Sequence, residues 1–77
     1  MPYITTEQKV YAEFDPRNAG ELNFAFTKLM KNYFDRKPNY QTINDILGAL
    51  EGAKHEFYRR VVFDYEDGKI KINGDVY

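Results

Sequence analysis

The stretch NYQTINDILGALEGAKHEFYRRVV, residues 39–62, decides the fold. Ile43, Leu47, Leu50, Phe57 and Val61 recur at steps of three, four or seven, and Ile46, Ala53 and Tyr58 widen the stripe. That period belongs to an amphipathic helix and not to a strand. Thr42 reads as its N-cap, with Asp45 three residues on, where an acid suits the positive end of the helix dipole. No proline follows Asn39, so the helix is expected to run to Tyr65 or beyond. Gly48 and Gly52 lie four apart on one face, with Ala49 and Ala53 beside them. Each glycine costs ~1 kcal/mol against alanine in a helix interior, which calls for a compensating close approach of another backbone. Asn44, Gly48, Gly52, His55 and Arg59 fall on one line, a shallow groove with an amide at one end and basic groups at the other.

Working outward, Thr5 or Thr6 caps a short first helix over EQKVYAEF, which Asp15-Pro16 breaks. Asn18 and Glu21 form a capping-box arrangement at the start of the next helix. Leu22, Ala25, Phe26, Leu29, Met30 and Tyr33 give its stripe, with Phe24 and Phe34 off centre, as on a helix with two buried faces. Arg36-Lys37 suit its negative end and Pro38 stops it. The short connection RKPNYQ makes the two main helices antiparallel neighbours. The second outruns the first by roughly 9 to 15 Å at 1.5 Å per residue. The expected core is Leu22, Phe26, Leu29, Ile43, Leu47, Leu50 and Phe57. Past Glu66-Asp67-Gly68 the pattern is ambiguous: KIKI alternates like a strand, Asn73-Gly74 suits a turn, and a frayed helix stopped by Gly74 fits equally. The fold expected is all-α: a short N-terminal helix plus an antiparallel helical hairpin with a long second helix, one helical domain over residues 1–77, assembled as an oligomeric helical bundle.

Composition narrows the function. The 77 residues carry 11 basic and 12 acidic side chains, for a net charge of −1, which argues against general nucleic-acid binding. A chain this short buries around 60% of its unfolded surface and has no cysteine to add a disulfide, so homo-oligomerisation is the expected stabiliser. Seven tyrosines and six phenylalanines exceed what one small core holds and suit a subunit interface or stacking on a planar ligand. No apolar run reaches membrane-spanning length and no signal peptide is visible, which makes the cytoplasm the expected location.

No serine or cysteine supplies a nucleophile, and His55 is the one imidazole. Neither a Walker loop nor a dinucleotide fingerprint is present, so no enzyme, cofactor or metal site is expected. Anion binding is better supported. Lys54 lies one turn before Tyr58 and His55 one turn before Arg59, with Arg60 next to it. Arginine can grip phosphate through two N–H groups while tyrosine stacks on a base. The competing reading pairs Arg59 and Arg60 with Glu56, Asp64 or Glu66.

NAGELNFAFT (18–27), the 39–62 stretch, YED (65–67) and NGDVY (73–77) resemble a family of short, uncharacterised bacteriophage and prophage proteins. The resemblance implies a phage setting, in which small non-enzymatic proteins act against host defence, one kind being a helical oligomer that sequesters a nucleotide immune signal. By that analogy the chain is expected to capture a small phosphorylated ligand such as a cyclic nucleotide. Tyr58 or Tyr40 would stack on the base, Lys54, Arg59 and Arg60 would hold phosphates with His55 beside them, and Asn44 would read a polar edge. The alternatives are a protein-binding inhibitor of a host or phage protein and a structural or assembly accessory.

Overall fold

The computed structural model describes residues 4–75. Among them the regular secondary structure is all helical, with no strand: α1 Thr6–Ala12, α2 Ala19–Arg36, α3 Tyr40–Phe57, a π-helical segment Tyr58–Val62, and α4 Phe63–Asn73. It divides into two compact units, the first ending at Ile46 and the second beginning at Leu47.

In the first unit each helix starts where a short polar side chain meets its amides. Gln8 N–H donates to Thr5 Oγ1 at 3.2 Å and Thr5 N–H donates to Gln8 Oε1 at 2.7 Å, a full capping box. At α2, Glu21 N–H donates to Asn18 Oδ1 at 2.9 Å. At α3 the cap is Asn39, whose Oδ1 accepts from Thr42 N–H at 2.8 Å. This corrects the expectation at Thr42. Both residue types cap well, but the Asn39 carbonyl already accepts from Ile43 N–H, so the first turn opens at Asn39 and Thr42 falls inside it. Thr42 is buried inside that turn instead, and Asp45 accepts from the Gln41 side chain at 2.8 Å.

α1 packs on α2 at a polar junction. Ala12 is fully buried there, Glu21 is 1% exposed, and Phe24 and Phe34, off the centre of the α2 stripe, are half-buried. Leu22, Phe26 and Leu29 remain exposed, as do Ile43, Leu47, Leu50 and Phe57. The seven residues expected to form a core therefore line uncovered faces. Periodicity identifies the apolar side of a helix but not the element that covers it.

In the second unit the helix continues past Tyr65 but not as one regular α-helix. Across Tyr58–Val62 the backbone takes five-residue steps, with Phe63 N–H donating to Tyr58 carbonyl oxygen. KIKI is the last part of α4, so the strand reading fails and the helical alternative holds. Gly74 N–H donates to the Ile70 carbonyl at 2.8 Å, and φ of 83° at Gly74 stops the helix where a side chain would be strained. The remainder of NGDVY, Val76-Tyr77, lies outside the described residues.

Among the described residues no close crossing occupies Gly48 or Gly52. A Cβ added at Gly48 or Gly52 would meet nothing within 4 Å. No described helix is long and apolar enough to cross a membrane.

Candidate functional site

The seven candidate binding residues divide between the two units. Tyr40 and Asn44 lie one turn apart in α3 of the first unit, both exposed. Lys54, His55, Tyr58, Arg59 and Arg60 form a basic tract on the helix of the second unit, all exposed. The line expected through Asn44, Gly48, Gly52 and His55 holds only as far as α3 extends, because Arg59 already belongs to the π-helical segment and its wider turn.

One local ion pair and one imidazole–carboxylate contact take part of the tract. Arg60 Nε contacts Glu56 Oε2 at 2.9 Å, and His55 Nε2 lies 3.3 Å from Glu51 Oε1, both one helical turn back. Exposed pairs of this kind contribute a few tenths of a kcal/mol and leave both groups free to exchange partners. Lys54 and Arg59 have no ion-pair partner among the described residues, and the same holds for Asp64, Glu66 and Asp67 beyond the π-helical segment. Tyr58 is 44% exposed and sits edge-on to Phe63, ring centroids 6.3 Å apart at 61°. A five-residue step brings these rings together; regular α-helix would turn residues five apart by about 140°.

A partly open cavity of about 320 Å³ lies within the first unit at the α2–α3 corner, lined by Tyr33, Arg36, Lys37, Asn39, Gln41, Thr42 and Asp45. None of the seven candidates is among its walls. The sequence signal for it was the RKPNYQ connection, which brings the basic end of α2 to the start of α3.

Sequence reasoning also missed the hub at Glu21. Its carboxylate Oε2 accepts from Tyr11 Oη at 2.7 Å, Gln8 Nε2 at 2.8 Å and Asn18 Nδ2 at 3.1 Å, while Oε1 accepts from Arg17 N–H at 2.9 Å. Burial pushes this carboxyl up, but the hydrogen bonds from Tyr11, the Arg17 backbone, Gln8 and Asn18 outweigh it and hold it below its ordinary range. The same carboxylate, accepting the phenol proton, raises Tyr11. Arg17 covers the Tyr11 ring, its guanidinium carbon 4.4 Å from the centroid. Every donor here is answered, so the hub acts as a clasp between α1 and α2. Among the described residues no three His, Asp or Glu side chains gather as a metal-ligand set.

No curated protein and no solved structure gives a significant match to this chain. Over residues 1–76 it matches the family described as Domain of unknown function (DUF6899), and it belongs to that family.

Proposed function

We propose that this chain is a non-enzymatic binding protein that works as an assembly of its own copies. One observation carries the reading: its large apolar side chains are uncovered on both main helices. Leu29 is 70% exposed, Leu47 58% and Phe57 58%, at positions spaced to form continuous faces. Surfaces of this kind on a small protein mark association sites. A hairpin of α2 with the long second helix, the number of copies, and a role as a structural or inhibitory accessory belong to this reading. Its bacteriophage setting, and with it the host cytoplasm, rest on the sequence phrases that resemble phage proteins. Light scattering across a concentration series tests it. A mass that is a multiple of 9.1 kDa is expected, and a mass that stays at 9.1 kDa at high concentration overturns it.

Capture of a small phosphorylated ligand, such as a cyclic nucleotide immune signal, is the second reading. It is favoured by the cations Lys54 and Arg59, which have no ion-pair partner among the described residues and flank the exposed ring of Tyr58. A thermal-shift screen with nucleotides tests it. A ligand at a hundred times its dissociation constant adds ~2.7 kcal/mol, and Arg59→Ala should remove that gain without loss of helix. A screen in which no nucleotide shifts the transition eliminates capture of these ligands.

A further inference from the structure

We infer that the segment around Val62 is the centre of an antiparallel pairing between two copies of this chain, with Arg59 and Arg60 of each copy facing the acids Asp64 and Glu66 of the other. The inference rests on the self-assembly reading and gives it a specific surface.

The order of charges supplies the first argument. The cations Arg59 and Arg60 directly precede the apolar step Val61, Val62 and Phe63, and the acids Asp64, Glu66 and Asp67 directly follow it. Among the described residues only Arg60 of these five charges has an ion-pair partner, Glu56. A parallel pairing would set cation on cation and acid on acid. A two-fold axis through Val62–Phe63 sets cation on acid on both sides of it, Arg59 opposite Glu66, because what one copy presents on one side of the axis its partner presents on the other. The surface is complementary to itself in one orientation, which favours a second copy over an unrelated protein.

The π-helical segment supplies the second. It brings Tyr58 and Phe63 onto one side, 6.3 Å apart, beside Val62. Tyr58 is 44% exposed and Phe63 55%, so an aromatic edge waits uncovered at the proposed axis. Such rings, flanked by charge, are the usual anchors of a protein interface.

Two cysteine variants of the full chain and a charge-exchange pair test the inference. Val62→Cys places the thiol near the axis, within disulfide reach of its counterpart, and mild oxidation should give a covalent dimer. Leu50→Cys lies about 18 Å along the helix from that axis, so its counterpart is about twice as far away and no cross-link should form. Arg59→Glu with Arg60→Glu, and separately Asp64→Lys with Glu66→Lys, should each weaken self-association about tenfold, and an equimolar mixture should recover it. Circular dichroism of each variant identifies any that has failed to fold, and the cysteine pair then decides. Cross-linking of both cysteines means a parallel pairing and overturns the inference. Failure of Val62→Cys to cross-link while light scattering still reports an oligomer also overturns it and leaves self-assembly standing. A monomer throughout removes both.

Discussion

The Tyr11 hydroxyl donates to Glu21 Oε2 at 2.7 Å, joining the seven-residue α1 to the first turn of α2 through a carboxylate that is 1% exposed. An isolated helix of that length does not persist in water, so α1 depends on this docking. Tyr11→Phe keeps the ring under Arg17 and removes one of four donors. Glu21→Ala leaves all four without their acceptor. The expected outcome is graded: amides of α1 exchange faster in Tyr11→Phe and lose protection altogether in Glu21→Ala, while the centre of α2 keeps its own. Hydrogen exchange with residue resolution reads this, and equal protection of α1 in both variants would refute the clasp.

The same pair sets how α1 docking depends on pH. The Glu21 carboxyl is lowered in the folded chain, so its contribution is complete above the ordinary carboxylate range and is lost as pH falls through the depressed folded value. Tyr11 is raised above 10.0, so its contribution is complete below that value and is lost as pH rises through the folded one. Docking of α1 should therefore hold across neutral pH and fail at both extremes. Amide chemical shifts of Gln8 and Ala12 followed across pH should show two transitions, and Tyr11→Phe should abolish the alkaline one alone.

Asn39, not Thr42, caps α3. Asn39→Ala should cost about 1 kcal/mol through loss of the hydrogen bond to Thr42 N–H. Changing Thr42 to valine keeps its size and leaves that bond in place, so the cap should survive. Chemical denaturation of the two variants ranks them, and a larger loss in the valine variant would reassign the cap.

These cases show what was legible in the residues. Helix starts and stops follow from local signals: a threonine cap at Thr5 or Thr6, Asn18 accepting from Glu21 N–H, and Pro38 as a stop all work within one turn. Choosing between Asn39 and Thr42 turns on which residue opens the first turn, which pattern alone does not resolve. The Glu21 hub needs the 13–18 turn to bring Gln8 and Tyr11 beside a residue at least ten positions away, so no local motif announces it. The stripe at Leu47, Leu50 and Phe57 was readable as apolar, but its exposure was not, because what covers it is not written in the period. The five-residue step at Tyr58 was equally hidden, since Phe57 and Val61 fit a regular helix just as well.

Gly48 and Gly52 give the last prediction. The sequence called for a backbone crossing at these positions, yet among the described residues an added Cβ meets nothing within 4 Å at either one. Both are held in α3 by its backbone alone, so each Gly→Ala change should stabilise the helix by ~1 kcal/mol, having less chain entropy to lose. In a domain of this size that raises Tm by about 4–8 °C per substitution. The antiparallel pairing centred on Val62 leaves these glycines toward the ends of the contact, so the gain should persist at high protein concentration. A loss of stability that grows with concentration would instead put the two glycines at the crossing between copies, and the pairing would have to be centred there.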